Sequence, residues 1–407
     1  MVPDNFFRRH RSRIIFGLAL ALLLGAAAYG RASQGLAGYE NFLPELAPEA
    51  AAFNIVRSSG TTVVYQTAGA SGTATGYITA AEGPGYGGPM HVLVAWTTDG
   101  VITAVSVPDH HEDLPWWNVL VKRDFFGQYV GRSFTEPIQL FEDIDAMTGS
   151  TVSCNGVSIG VRTGRLALAE YLGQPYDGPP DPIRIGWPEI LVGAGLLGVV
   201  AVRTLPGIRR HNWPRVFTLM YGFAVLGVWL SIPLSLTNIA AWLIGYSPHL
   251  QTFFVIYIVV FGFIGLAALF GKNYYCFWLC PYVAVQELIH LTFRGKVRPN
   301  PGLFKWLKNT RFALLFVALF LVLAMRNPSV SVFEPWNVLF SFKGTPDQWV
   351  LMVFALVSAV FIYNFWCHYL CPVGAVLELV IKIRKGIIGL WPGRIKREDL
   401  KNAPTPS

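Results

Sequence analysis

The sequence predicts a membrane protein with about six transmembrane α-helices and an α+β domain outside the cytoplasm. Of its 407 residues, 53% are hydrophobic and only 14% are charged, whereas soluble domains contain about 25% charged residues. The other two observations are six separate apolar stretches and one long polar segment after the first of them. Together they exclude an ordinary soluble protein.

Several of the six apolar stretches come near the roughly 20 residues that a transmembrane helix needs, while the first, second and fifth are short and need flanking residues or a thinner bilayer. They lie at residues 14–28, 190–202, 217–234, 253–270, 312–325 and 350–366. Basic residues precede the first stretch and small residues follow it, so it fits either a retained membrane anchor or a cleaved signal peptide. Both interpretations place the following segment outside the cytoplasm.

The basic residues predict the orientation of the chain. A net charge of +8 would suit nucleic-acid binding if the charges formed one face, but they gather in alternate connections, and we expect no nucleic-acid partner. The basic groups lie at residues 8–13, 203–215, 294–311 and 382–397. Basic connections stay in the cytoplasm, so both termini are predicted to be cytoplasmic. Arg326 and Lys343 are the only cations in the two short outer connections.

This orientation divides the chain into four parts. They are a cytoplasmic segment with an anchor at 1–33, an extracytoplasmic domain at 34–182, a membrane domain with five helices at 183–385 and a cytoplasmic tail at 386–407. The outer domain has short alternating runs between Gly- and Pro-rich turns, which is the pattern of strands and hairpins. These runs lie at 61–66, 74–80, 91–97 and 101–107, and helical stretches follow at 118–129 and 158–171.

Four of the five cysteines occur in two copies of a Cys-x-x-x-Cys-Pro motif, Cys276 with Cys280 and Cys367 with Cys371. Nine residues coincide between the copies at an offset of 91. The matched pairs are Asn273/Asn364, Cys276/Cys367, Leu279/Leu370, Cys280/Cys371, Pro281/Pro372, Ala284/Ala375, Val285/Val376, Glu287/Glu378 and Leu288/Leu379. Each motif is predicted to face the reducing cytoplasm, where paired thiols are more often metal ligands or redox groups than disulfides.

The four thiolates together would complete one iron–sulfur cluster or one tetrahedral zinc site. A [4Fe–4S] cluster is the preferred interpretation, with [2Fe–2S] behind it, since the sequence fixes ligand number better than nuclearity. The alternatives are zinc, and cysteines that are merely small buried hydrophobic residues. His368, inside the second motif, is either a further ligand or hydrogen-bond donor, or an interfacial residue.

The most specific segment of the outer domain is Asp145-Ala-Met-Thr148-Gly149-Ser150-Thr151. It resembles the Asp-x-x-Ser/Thr-Gly-Ala-Ser/Thr signature of the FMN-binding domains in the NosR/NirI family and in the flavin subunits of sodium-pumping and Rnf-type oxidoreductases. The resemblance implies that a flavin transferase joins the FMN phosphate to Thr151. Ser150 departs from the family's alanine. Glycine lets backbone amides approach a phosphate, and a following helix would present its positive end to the anion.

Two further segments strengthen this resemblance. The glycine-rich turn around Tyr86 and the run His110-His111-Glu112 resemble the NosR-type version of the domain. They imply that these four residues belong to the flavin site. The alternatives are a Ser/Thr/Gly-rich loop without a ligand at 145–151, and ordinary loop histidines.

The order of an outer FMN domain, several spans and two cysteine motifs resembles the NosR/NirI family over residues of about 50–380. Family members usually continue into a cytoplasmic ferredoxin-like region, which this sequence does not contain; the shorter plan resembles the flavoprotein subunit associated with reductive dehalogenases. The resemblance implies an electron-transfer protein of the bacterial inner membrane, with redox partner proteins. A redox sensor or maturation factor for a periplasmic reductase is the alternative.

The predicted topology leaves a gap between the two cofactor sites. The cysteines lie at the cytoplasmic surface and Thr151 lies outside, so a hydrocarbon core of roughly 30 Å separates the two ends. We therefore expect FMN to dock against the membrane, together with a quinone or a partner that completes the path. The direction of electron flow is left open.

Overall fold

The computed structural model describes residues 4–33, 39–112, 114–147, 149–174, 183, 185–209, 212–248, 250–251, 253–293 and 301–389. Their contacts divide the chain into two units. The first contains Met1–Trp187, Ser235–Ile256 and Phe316–Phe354; the second contains Pro188–Leu234, Tyr257–Leu315 and Ala355–Ser407.

Five antiparallel strands form a meander in the order β1-β2-β3-β4-β5. Their bounds are β1 Ala52–Ser59, β2 Thr62–Ala68, β3 Ala74–Pro84, β4 Pro89–Thr97 and β5 Ile102–Asp109. The last four match the predicted strands. The first was missed because Asn54 and Arg57 interrupt its alternation and most of its residues are exposed or half-buried.

The remaining elements are helical. The α-helices are α1 Asp4–Ser33, α2 Leu43–Leu46, α3 Leu114–Lys122, α4 Thr151–Tyr171, α5 Trp187–Thr204, α6 Pro206–Arg209, α7 Trp213–Gly222, α8 Leu236–Leu243, α9 Phe254–Phe270, α10 Cys276–Leu279, α11 Pro281–Phe293, α12 Pro301–Met325, α13 Pro335–Ser341, α14 Pro346–Phe361, α15 Phe365–Tyr369 and α16 Pro372–Gly389. A π-helix, Phe223–Trp229, extends α7, and 3-10 turns occur at Tyr39–Phe42, Phe126–Tyr129 and Pro328–Ser331.

Helix α4 lies on the sheet through a stripe of three glycines, Gly156, Gly160 and Gly164. A methyl group at Gly160 would overlap Val92 of β4, so the absence of side chains lets the helix axis approach the strands. The core between helix and sheet is apolar, with Cys154 and Val157 fully buried. The helix begins at Thr151, which corrects the predicted start at residue 158.

The predicted helix at 118–129 is also corrected. Helix α3 begins earlier and ends at Lys122, and a separate 3-10 turn, Phe126–Tyr129, follows it. Asp124 between them has a φ of 50°, a left-handed conformation that cannot continue a right-handed helix.

Three helical segments within the described part of the chain are long and apolar enough to cross a membrane: Ile14–Ala32, Trp187–Thr204 and Leu307–Met325. A fourth span is counted if α13 and α14, which meet at a bend of 99°, are taken together. Helix α9 is apolar but has 17 residues. The chain is thus a helical membrane protein with an antiparallel-sheet domain, and the number six stays a prediction, as do the domain limits.

The element order repeats itself along the membrane segment. Helices α7 to α11 comprise a long helix, a short one, an apolar helix, the cysteine turn and a following helix, and α12 to α16 comprise the same series. The internal repeat found in the sequence therefore extends well beyond the cysteine motif.

Candidate functional site

Thr151 is the first residue of α4, and Ser150 is its N-cap. The carbonyl of Ser150 accepts the amide of Cys154 at 2.9 Å, so the helix is hydrogen-bonded from its first turn. The amides at this end have no partner within the helix and favour an anion such as a phosphate. The predicted attachment residue thus lies where a phosphoester would be stabilised. Thr148 lies outside the described residues.

The signature loop is held from several directions. The amide of Met147 donates to Cys154 Sγ at 3.3 Å, and Ser150 Oγ donates to the Trp116 carbonyl at 2.8 Å. Gly149 has a φ of 86°, and a methyl group there would overlap the Trp116 ring. Asp145 contributes its backbone, whose amide donates to Gln128 Oε1 at 2.8 Å, while its side chain is exposed.

Glu112 joins the glycine-rich turn to α4. Its side chain is buried, with 7% exposed; it accepts the Gly87 amide at 2.7 Å and the Ser153 hydroxyl. A buried carboxylate is costly unless it accepts hydrogen bonds, and its two donors belong to the glycine-rich turn and to the first turn of α4. Glu112 therefore positions the flavin-site loops, whereas Tyr86 lies half-buried in the turn itself.

The two histidines occupy different surroundings. The ring of His110 stacks on Trp117 with centroids 3.9 Å apart, and burial lowers the pKa of His110 below its usual 6.5. His111 has an exposed side chain, and its carbonyl accepts Ser329 Oγ at 2.9 Å. His110 is thus a packed, neutral ring at pH 7 and His111 a backbone contact.

Residues from the outer connection between α12 and α14 reach the flavin-site loops. Besides the bond from Ser329, Lys343 Nζ lies 4.1 Å from the centre of the Trp116 ring, a cation–π contact. Pro328 Cδ lies within van der Waals distance of Gly88. Sequence reasoning missed Trp116 and Lys343 as site residues, and the isolated cation in an outer connection was the available signal.

The four motif cysteines belong to one unit of the structure. Cys280 and Cys371 directly precede the prolines that begin α11 and α16, and Cys276 and Cys367 lie about one turn earlier. All four are free thiols, three of them buried and Cys367 half-buried. Gln286, in the helix that follows the first motif, donates from Nε2 to Cys367 Sγ of the second motif at 2.9 Å. The two copies of the motif are therefore in contact, and the binding of one cluster by all four thiols stays a prediction.

The four thiols do not lie close enough together to bind a single metal ion. In the part of the chain that the structure describes, no three or more His, Cys, Asp or Glu side chains are close enough to hold one ion. Four thiolates on zinc would lie within about 4 Å of one another, given Zn–S bonds of about 2.3 Å. The arrangement of the four thiols therefore does not match a single tetrahedral zinc ion.

Hydrogen-bond donors surround the thiols, as an electron-rich cluster requires. Gln286, fully buried, donates from Nε2 to Cys367 Sγ at 2.9 Å, and the amide of Gly374 lies 3.3 Å from Cys371 Sγ. His368 Nδ1 lies 2.9 Å from the Asn364 carbonyl. His368 is therefore hydrogen-bonded within the turn that contains the second motif.

Each copy of the repeat contains one arginine–glutamate ion pair. Arg215 of α7 pairs with Glu287 of α11, with Nη2 2.5 Å from Oε1, and Arg311 of α12 pairs with Glu378 of α16. The sequence showed that the glutamates are equivalent, but it assigned the arginines only to the cytoplasmic charge pattern. The pairs tie the helix after each cysteine motif to the first helix of its copy.

Comparisons with known proteins agree with both halves of this description. A family model for FMN-binding domains matches residues 85–164, which include the signature loop and the glycine-rich turn. A family model for 4Fe-4S binding domains matches residues 252–300 and 349–390, which include all four motif cysteines. The two family models thus match the segments in which the two motifs lie.

Several curated proteins are similar to part of the chain. "Protein NirI" of Paracoccus denitrificans is 28% identical over 217 residues, 48% of this chain and 32% of its own length. "Regulatory protein NosR" of Pseudomonas aeruginosa is 29% identical over 178 residues, 41% of this chain and 25% of its own. "Putative electron transport protein YccM" of Escherichia coli is 28% identical over 150 residues, 33% of this chain and 41% of its own. The chain spans a third or less of the NosR and NirI proteins that it matches.

Proposed function

We propose, from the premise that this chain is a NosR/NirI-like flavoprotein with FMN-binding and 4Fe-4S binding domains, that it is a transmembrane electron-transfer protein. It relays electrons between an iron–sulfur site on the cytoplasmic side and an FMN bound covalently at Thr151 on the other side. The observation behind this proposal is the contact between the two copies of the cysteine motif, through the bond of Gln286 to Cys367, in a chain that also contains an FMN-binding domain.

The chain's own residues supply position and electrostatics, while FMN and the cluster supply the redox chemistry. Thr151, at the first turn of α4, would hold the phosphate, with Ser150 and Gly149 shaping the approach. Glu112 keeps that turn and the glycine-rich turn together. Cys276, Cys280, Cys367 and Cys371 would bind a single cluster, most simply a [4Fe–4S] cluster.

A close approach of FMN to the membrane supports the relay. The contacts of Ser329 with His111 and of Lys343 with Trp116 bring an outer connection of the membrane helices to the flavin-site loops. We propose a multi-pass protein of the bacterial inner membrane with cytoplasmic termini. A quinone or a redox partner protein completes the path, and a flavin transferase is needed for maturation.

A regulatory role is the second candidate, and the name of one relative, "Regulatory protein NosR", favours it. Such a protein would report redox state to a partner, or support maturation of a periplasmic reductase, without sustained turnover. The flavin would then not need to exchange electrons with the cysteine site at a useful rate.

Anaerobic reduction of the loaded protein distinguishes the two candidates. A quinol or a low-potential donor is added, and the flavin absorbance is followed with time. For a relay we expect the wild-type flavin to be reduced, and the reduction to be at least about tenfold slower in the Cys367→Ser/Cys371→Ser variant. A flavin that is never reduced, or is reduced equally fast without these cysteines, would contradict the relay.

A further inference from the structure

The two arginine–glutamate pairs are equivalent in the repeat but differ in their surroundings. Arg215 uses its whole guanidinium within the protein: Nη1 and Nη2 contact the Glu287 carboxylate, and Nε donates to the Phe277 carbonyl at 3.1 Å. Its donors are therefore satisfied by the two segments that it joins. This is what a structural clamp requires.

Arg311 has a different set of partners. It is buried, with 7% exposed, and it contacts Glu378 through Nη2. Its Nε is buried and has no hydrogen-bond partner among the residues that the structure describes. An unsatisfied donor on a buried guanidinium costs free energy, which a bound acceptor would recover.

The guanidinium of Arg311 lies beside Cys371. Arg311 Nη1 and Cys371 Sγ both lie within 4 Å of the position that a methyl group on Gly374 would occupy. Glycine at position 374 leaves this space free between the arginine and the thiol.

We propose that Arg311 is a positioning residue of the cysteine site, donating to the sulfur atoms of the bound cluster and setting its reduction potential. This inference rests on the proposed iron–sulfur site. A positive charge stabilises the more negative, reduced state more than the oxidised one, and hydrogen bonds to sulfur act in the same direction. Arg215 only joins its two helices, so the two equivalent arginines of the repeat have different roles.

The test is a redox titration of the loaded full-length protein, monitored by the spectrum of the cluster. In Arg311→Gln we expect a roughly tenfold lower ratio of reduced to oxidised cluster at a fixed ambient potential. This ratio corresponds to a cluster reduction potential about 59 mV more negative, for transfer of one electron. Arg311→Lys retains the positive charge, so the reduction potential of the cluster should shift less than in Arg311→Gln. Arg215→Gln is the matched control and should lower thermal stability without moving the potential.

A fourth variant keeps the proposal open to contradiction if Arg311→Gln binds no iron. Glu378→Gln removes the counter-charge but leaves the guanidinium, so the potential should become more positive. No shift there, an unchanged potential in iron-loaded Arg311→Gln, or an equal shift in Arg215→Gln would overturn the role of Arg311. Wild-type protein without iron and sulfide would instead overturn the proposed function, together with this inference, before any variant is compared.

Discussion

The proposed covalent attachment of FMN depends on a single hydroxyl group, that of Thr151. Thr151→Ala should give denatured protein without yellow colour or in-gel fluorescence, because no oxygen is left to form the phosphoester. Thr151→Ser keeps the hydroxyl at the first turn of α4 and should retain some attachment. Both variants must be expressed beside the wild type in a host that contains a flavin transferase. Fluorescence that persists in the alanine variant would place the attachment elsewhere.

Gly149 combines a left-handed φ of 86° with close contact to the Trp116 ring. Gly149→Ala should therefore destabilise the outer domain by about 1–3 kcal/mol and reduce flavin incorporation, as alanine is strained there and displaces the ring. Gly131→Ala is the control, since Gly131 has a φ of 84° and open space around it. Thermal unfolding and flavin content measure the two effects. Equal flavin content in both variants would show that the Trp116 contact is unimportant.

His110 should make the outer domain less stable in acid. Burial lowers its native pKa below 6.5, so the unfolded state binds more protons and stability falls as the pH drops below about 6.5. His110→Phe keeps a ring against Trp117 without a titrating group and should flatten this dependence. The measurement is the unfolding temperature of both proteins between about pH 7 and pH 5. Parallel curves would contradict the assignment.

At the scale of elements, the glycine stripe of α4 sets the spacing between helix and sheet. Gly160→Ala should destabilise the domain by about 1–3 kcal/mol, because the new methyl group overlaps Val92 and the packed strand cannot move away freely. Gly198→Ala, in α5 with open space around it, is the control and should be neutral or slightly stabilising. Thermal unfolding compares the two. A neutral Gly160→Ala would mean that the interface is looser than described.

The same helix shows what sequence reasoning can and cannot predict about elements. Strands β2 to β5 follow from alternation and glycine turns, which are local signals. The first turns of α4 contain Thr151, Ser153 and Asn155, residues with weak helix propensity, so the predicted start came seven residues late. Contacts with β3 and the bond of Ser153 to Glu112 stabilise this end of the helix, and tertiary contacts of this kind override propensity.

At the scale of the whole molecule, the shared cluster makes a quantitative prediction. If one cluster takes ligands from both copies of the motif, Cys276→Ser and Cys367→Ser should each lose nearly all iron, because a cluster without a full set of thiolates is not retained. Two independent sites would instead leave about half of the iron in each variant. Iron and sulfide per protein are measured, with Cys154→Ser as the control, since Cys154 lies in the outer-domain core.

Much of this site was predictable because it repeats. The repeat at an offset of 91 residues predicted that the four motif cysteines share one site, and the signature loop predicted Thr151 as the attachment residue. Arg311 and Lys343 were not predicted as site residues, since their roles depend on contacts with residues distant in sequence. The cytoplasmic charge pattern explained Arg311, whereas Lys343, one of only two cations in the connections 237–249 and 326–348, was a signal that the prediction did not use.

The position of Thr151 at the start of α4 has a mechanical consequence for the proposed relay. A β-branched side chain has few torsional choices, and its backbone is fixed by the bond between Ser150 and Cys154. A flavin esterified there is anchored at one fixed point, so its ring moves only within the reach of the phosphate and ribityl chain and does not diffuse between partners. In single-turnover measurements, its reduction by the cysteine site should hardly change with solvent viscosity, whereas exchange with a diffusing partner should slow as viscosity rises. The fold then sets the distance between the flavin and the cysteine site, and the encounter with the partner sets the rate of the slower, viscosity-dependent step.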